Sequence, residues 1–209
     1  MAARWTLVVP IKDTAVGKSR LASLGAQRPA LARAMALDTV EAALGSRLVG
    51  RVVVVTSDPA LARAMVDDVA PGRDTSVELV ADPGTGLRDA VLVGARAVER
   101  GPLAVLTGDL PGLRPDDLDL VLDQAARYDV AVVADADDVG TTLLAVADPS
   151  SLDPRFGESS LAAHRAQGAV PIAAPVGLRR DVDLPAHLDE LRPLLGPRTA
   201  SLVARTAVR

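Results

Sequence analysis

The only two lysines of the chain, Lys12 and Lys18, fall in one short run, Pro10-Ile11-Lys12-Asp13-Thr14-Ala15-Val16-Gly17-Lys18-Ser19-Arg20. With Arg20 they bring three cations to a single loop. Ammonium groups and the arginine fork suit phosphate oxygens, and Gly17 allows a ligand close to the backbone. A solvated basic loop is the alternative. Gly17-Lys18-Ser19 has the ending of a P-loop, but Lys12 stands where a Walker motif needs its first glycine.

Carboxylates supply the opposite chemistry. Asp109 lies in Thr107-Gly108-Asp109-Leu110-Pro111, directly after an apolar run. A carboxylate there is costly to bury unless it meets a cation, and Mg²⁺ commonly takes one or two carboxylates plus substrate phosphates. The alternative is a turn or cap aspartate. Asp181 and Asp183 flank Val182, so in an extended segment they point to one side. Pro185 then starts a helix, which makes Asp183 or Leu184 a cap position and Asp181 the better metal candidate.

Two glycine turns could hold anions. Gly84 and Gly86 in Asp82-Pro83-Gly84-Thr85-Gly86-Leu87-Arg88-Asp89 precede a helix, whose N-terminus suits a phosphate. As a dinucleotide fingerprint the run fails, because Asp89 stands where a small residue is needed. Gly157-Glu158-Ser159-Ser160 opens another helix, and Thr141-Thr142 adds hydroxyls at the start of a strand. His164 and His187 fall in helical segments and read as packing or solvated residues.

These loops require a frame that brings them together. Trp5–Pro10, Arg51–Thr56, Ser76–Ala81, Leu103–Thr107 and Val130–Ala134 read as strands. Helices are expected at Arg28–Gly45, Asp58–Val69, Leu87–Glu99 and Pro115–Tyr128, with Asp58 as N-cap and Pro59 at N1. Later come a turn at Asp138–Gly140, strands at Thr141–Ala147 and Ala169–Ala174, and helices at Ser160–Gln167, Pro185–Leu195 and Ala200–Ala207. This alternation predicts an α/β protein with a mainly parallel sheet and helices on both faces. Ligands on such sheets bind at the carboxyl ends of the strands. With neither a linker nor a repeat in 209 residues, one domain over 1–209 is expected.

Composition narrows the function. Hydrophobic residues make up 49% and charged residues 24%, which excludes disorder. The absence of cysteine excludes disulfides and thiolate chemistry. A net charge of −4 argues against non-specific nucleic-acid binding. Trp5–Pro10 is too short for a signal segment, and no apolar run approaches a membrane span, so no membrane partner is expected and the expected location is the cytoplasm.

In order along the chain, VPIKDTAVGKSRL, GDLPGL, GTTLLAV, DPRFGESS and GLRRDVDLPAHLDEL resemble the phosphoenolpyruvate/2-phospholactate guanylyltransferases of coenzyme F-420 biosynthesis. The resemblance runs over nearly the whole chain. It implies a GT-A-like nucleotide-diphosphosugar-transferase fold. It also implies transfer of GMP from GTP to a small phosphorylated carboxylic acid, with Mg²⁺ as cofactor. By position, Thr142, Gly157 and Ser160 match the residues holding the acid. Asp109 and Asp181, with Asp183 as a third, match the metal-binding aspartates. Lys12, Lys18 and Arg20 match the catalytic basic loop that handles the triphosphate. The nucleotide is expected against Pro10, Lys12, Lys18, Asp82, Gly84, Gly86, Arg88 and Gly108. One departure bears on base selection: the family usually reads Gly-Leu-Asn where this chain has Gly86-Leu87-Arg88.

The implied chemistry needs no general base. The acceptor phosphate is ionised at neutral pH, so alignment and charge neutralisation carry the reaction. The competing expectations are a sugar-phosphate or molybdopterin nucleotidyltransferase of the same fold and a non-catalytic GTP-binding protein. The two acceptors, phosphoenolpyruvate and 2-phospho-L-lactate, differ by two hydrogens. Monomer and homodimer stay equally open.

Overall fold

The computed structural model describes residues 4–15, 18, 21, 25–69 and 75–206. Arg20 and Gly17 lie outside the described residues. Trp5–Ile11 (β1) and Val49–Thr56 (β2) pair in parallel within a seven-stranded sheet. The valines of β2 from Val52 to Val55 are fully buried, because a strand with parallel neighbours on both edges is covered on both faces. Ser76–Ala81 (β3), Leu103–Leu106 (β4), Val130–Ala134 (β5), Thr141–Val146 (β6) and Val170–Pro171 (β7) complete the order β3-β2-β1-β4-β6-β5-β7. Among the described strands, only β6 runs against its neighbours. Its start therefore lies at the same edge as the ends of β1, β4 and β5. Ala134 pairs with Thr141 while Val133 pairs with Leu143, which leaves Thr142 as the extra residue of a bulge.

Alternation along β1 divides the core. Leu7 and Val9 face one side with Arg28–Gly45 (α1) and Pro115–Ala125 (α4), and Val8 faces the other with Leu87–Ala95 (α3) and Ser160–Ala166 (α5). α3 lies close on the sheet because residue 94 is glycine. A Cβ there would fall 2.6 Å from Val8 Cγ1 and 2.7 Å from Val55 Cγ2. Pro59–Ala64 (α2) begins as expected: Asp58 accepts from the N–H groups of Ala60 and Leu61, with Pro59 in the first turn. It continues as a π-helical turn over Met65–Val69. α4 is tied to the α1–β2 turn by buried Asp119, which accepts from Ser46 Oγ, Arg47 Nε and Leu48 N. Those bonds outweigh burial and hold its carboxyl below the usual range.

The chain closes with Val176–Arg179 (α6), Pro185–Glu190 (α7) and Pro197–Thr206 (α8). Several expected elements are shorter than their patterns. α3 ends at Ala95, α4 at Ala125 and α7 at Glu190. The strand expected over Ala169–Ala174 is two residues long; it lies at the sheet edge, where a proline is tolerated, and Ile172 N still donates to Val132 O at 2.8 Å. Among the described residues, no helix is long and apolar enough to cross a membrane.

A third apolar cluster joins Leu21, Leu31, Met35, Val182, Leu188 and Leu191. Leu21 and Val182 are fully buried, and burying each stabilises the fold by about 1.5–3 kcal/mol. Through them the lysine-bearing loop and the Asp181–Asp183 segment are both fastened to α1 and α7.

Candidate functional site

A cleft of about 500 Å³ opens at the strand-end edge of the sheet. One wall is the end of β1 and its loop, with Pro10, Lys12, Thr14 and Lys18; the floor is Thr107, Gly108 and Asp109 after β4; the far wall is Thr141, Phe156, Gly157 and Ser160. Asp181 and Asp183 close the end. Regions more than 160 residues apart in sequence meet here, as Lys18 and Asp183 do.

The acidic side chains converge for a local reason. Val182 points into the third cluster, so its neighbours Asp181 and Asp183 turn the other way. Val182 N donates to Asp109 O at 3.1 Å, which registers this segment against the turn after β4. Each of the three aspartates offers a carboxylate oxygen, and these oxygens lie within 4.8 Å of one another. Lys18 Nζ bridges two of them, in contact with Asp109 Oδ2 and 2.8 Å from Asp183 Oδ1. Leu184, rather than Asp183, is the N-cap of α7. The turn holding Asp109 is itself fixed: Leu110 N donates to Thr39 Oγ1 at 3.0 Å, and Gly177 packs so closely that a Cβ would overlap the carbonyl oxygen of Gly112.

Electrostatics follow from this crowding. Burial, then repulsion from Asp109 and Asp183, pushes the Asp181 carboxyl up to about 6, against the opposing pull of Lys18. Burial alone would lower the Lys18 ammonium, but Asp109 and Asp183 outweigh it and raise it well above its ordinary value. Among the described residues, Asp109 Oδ1 is buried without a hydrogen-bond partner. Three carboxylates this close, one of them with an unused acceptor oxygen, suit a divalent ion with oxygen ligands.

The loop after β1 is held from outside the cleft. Thr14 N donates to Asp58 Oδ2 at 3.2 Å and Thr14 Oγ1 donates to the same oxygen. Burial raises the Asp58 carboxyl, yet these bonds and the two capping amides of α2 leave it below the usual range. Gly108 is required by packing, since a Cβ would fall 2.6 Å from Ile11 Cγ1.

The remaining expected site residues are distributed less evenly. Asp82, Gly84, Gly86 and Arg88 lie outside the cleft lining, although Leu87 contributes to it. Gly84 and Gly86 hold φ of 75° and 117°, a conformation that favours glycine. Asp82 Oδ1 accepts from Gly84 N at 2.9 Å. Arg88 donates to Asp153 Oδ1 at 2.8 Å and to Pro154 O at 2.7 Å, so its fork faces the 153–157 segment. Gly157 and Ser160 line the cleft, and so does Thr141. Thr142, at the bulge, is buried, and among the described residues its hydroxyl has no partner.

Sequence reasoning passed over Asp135, which also lines the cleft and accepts from Val139 N and Gly140 N. Its position directly after β5 is the signal that marks Asp109 after β4. His164 is buried, 1% exposed, and His187 is half-buried, with Nδ1 3.0 Å from Asp181 O and 3.2 Å from Asp183 N.

The model of the guanylyl transferase CofC-like family matches residues 5–170. A phosphoenolpyruvate guanylyltransferase from Streptomyces scabiei is 44% identical, over 98% of each chain. Another, from Streptosporangium roseum, is 43% identical over 96% of this chain and 91% of its own. Solved structures are more distant. A candidate nucleotide-diphospho-sugar transferase from Desulfovibrio desulfuricans G20 superposes with a TM-score of 0.72 at 16% identity, covering 100% of this chain and 96% of the other. A CMP:2-keto-3-deoxy-manno-octonic acid synthetase complexed with CTP gives 0.57 at 18% identity, over 97% and 99%. At such identities these two establish the fold.

Proposed function

We propose, on the premise that this chain belongs to the CofC-like guanylyl transferase family, that it moves GMP from GTP to the phosphate of phosphoenolpyruvate. Pyrophosphate is released, and the product serves biosynthesis of coenzyme F-420. Phosphoenolpyruvate is favoured over 2-phospho-L-lactate because relatives 44% and 43% identical carry it in their names. The whole of 1–209 acts as one nucleotidyltransferase unit in the cytoplasm. The observation that carries this reading is the meeting of three carboxylates and a lysine at one end of a cleft whose far wall carries hydroxyls and a glycine turn.

Asp109, Asp181 and Asp183 would hold Mg²⁺. The unpartnered Oδ1 of Asp109 and the mutual approach of the three carboxylates support this. Bound there, the ion supplies charge neutralisation for phosphate oxygens. Lys12 and Lys18 hold the triphosphate, with Arg20 as the third cation of the loop. Pro10 and Gly108 pack against the nucleotide, and the loop from Asp82 to Arg88 covers its base. Thr142, Gly157 and Ser160 belong to the acid subsite.

An oxygen of the acceptor phosphate attacks the α-phosphorus of GTP. The bond from that phosphorus to the bridging oxygen of the β-phosphate breaks, and pyrophosphate leaves with the electron pair. The attacking oxygen is already ionised, so no side chain takes its proton. The engagement of both histidines in fixed hydrogen bonds agrees with this. Catalysis then rests on alignment and on cations facing the developing charge.

The test is incubation with GTP, Mg²⁺ and each phospho-acid in turn, with mass detection of the diphosphate-linked product and measurement of pyrophosphate. Product with phosphoenolpyruvate is expected. Bound GTP without pyrophosphate release, whatever the acceptor, refutes the reading.

A further inference from the structure

His164 is buried in α5, where its ring meets two other segments of chain. The Arg155 backbone N–H donates to His164 Nε2 at 2.9 Å. An amide can only donate, so Nε2 carries no proton and the ring must be the neutral Nδ1–H tautomer. Nδ1 lies 3.0 Å from Thr141 Oγ1, so here the ring donates and the hydroxyl accepts. The hydroxyl proton of Thr141 is then left over. Among the described residues no acceptor is recorded for it, and Thr141 lines the cleft. Phe156, which also lines the cleft, packs edge-on against the His164 ring at 5.2 Å. The imidazole thus joins the start of β6, the 155–156 segment leading to Gly157, and the helix that begins at Ser160.

We propose that Thr141 is a substrate-binding residue whose hydroxyl donates to an oxygen of the phosphorylated acid, and that His164 is the positioning residue that forces it to donate. This rests on the guanylyltransferase reading above. Burial lowers the His164 imidazole below its ordinary value, with Arg155 acting in the same direction and Asp153 against it. The ring therefore stays neutral at pH 7, as the tautomer requires. A protonated ring would turn Nε2–H against the Arg155 amide.

The test is steady-state kinetics with both substrates varied. Thr141→Val keeps the shape and removes the hydroxyl. It is expected to raise KM for the acid about tenfold, the size of a lost hydrogen bond to a charged group. KM for GTP should stay within about twofold, since uniform binding of only one substrate is removed. Thr141→Ser restores acid binding. His164→Phe keeps a ring and should match Thr141→Val, while His164→Asn, whose amide reproduces the Nδ1–H donor, should bind acid within about threefold of the parent. The double variant Thr141→Val/His164→Phe should be no worse than Thr141→Val alone, because the two act as a unit.

An unchanged acid KM in Thr141→Val overturns the proposal. So do an equal rise for GTP, multiplying effects in the double variant, or a His164→Asn as weak as His164→Phe. If His164→Phe does not fold, Thr141→Val against Thr141→Ser decides alone. A parent enzyme that makes no product with any phospho-acid refutes the function instead, which is a separate outcome.

Discussion

Asp58 links fold stability to the wall of the cleft, and removing it has a calculable cost. Its carboxylate caps α2 through Ala60 N and Leu61 N and also accepts two bonds from Thr14. Loss of an N-cap costs about 1 kcal/mol, and a bond to a charged acceptor about 1.5 kcal/mol or more. Thr14 recovers some of this from water once released, so Asp58→Ala should cost about 3 kcal/mol. Asp58→Ser keeps a capping oxygen but is too short to hold Thr14, and should cost about 2 kcal/mol, whereas Thr14→Val keeps the backbone N–H bond to Asp58 and should cost about 1.5 kcal/mol. The double variant Asp58→Ser/Thr14→Val should cost about the same 2 kcal/mol, since one interaction cannot be lost twice. Urea unfolding at pH 7 measures all four. Because Thr14 and Lys12 line the same wall, Asp58→Ser should also raise KM for GTP at temperatures where it is fully folded. Additive costs for Asp58→Ser and Thr14→Val, or an Asp58→Ala as stable as the parent, would show that Asp58 does not anchor the loop.

Asp109→Asn should abolish turnover with Mg²⁺ supplied while the melting temperature stays near that of the parent; normal turnover refutes its metal role. Gly177→Ala should cost about 1–3 kcal/mol by overpacking against the Gly112 carbonyl, and should also lower activity, because that turn carries Asp109; unfolding and rate measured together check both. Stability should depend on pH through His164. Its folded value is depressed by burial, so below its unfolded value of about 6.5 the unfolded chain binds more protons and stability falls with pH. Asp181, raised to about 6, acts in the opposite sense nearby, so the comparison to make is parent against His164→Phe. The parent should lose more stability between pH 7 and pH 5.5, and equal losses refute the assignment.

Much of this arrangement was legible in the residues. Unbroken β-branched runs such as Arg51–Thr56 leave little choice but a buried strand, and Asp58-Pro59 marks a helix start through local hydrogen bonding alone. The rule that ligands gather at strand ends located Asp109 and the lysine loop. What escaped depends on tertiary contact. The reversal of β6 leaves no trace in its composition, because Thr141–Val146 is buried along its whole length whichever way it runs. Asp183 read both as a third metal candidate and as one of two cap positions, and the burial of Val182 against Leu21 and Leu188 is what aims it at the cleft. His164 read as filler, because the Arg155 amide that fixes its tautomer is nine residues away and reaches it only through a loop.

The reversal of β6 has a consequence for how such an enzyme diversifies. A strand running with its neighbours brings its last residues to the ligand edge, whereas β6 brings its first. The two sides of the cleft therefore come from separate stretches of the gene, 10–14 and 18 with 107–109 on one side and 140–141 with 156–160 on the other. Substitutions in the second stretch can therefore alter one wall of the cleft while leaving the opposite wall untouched.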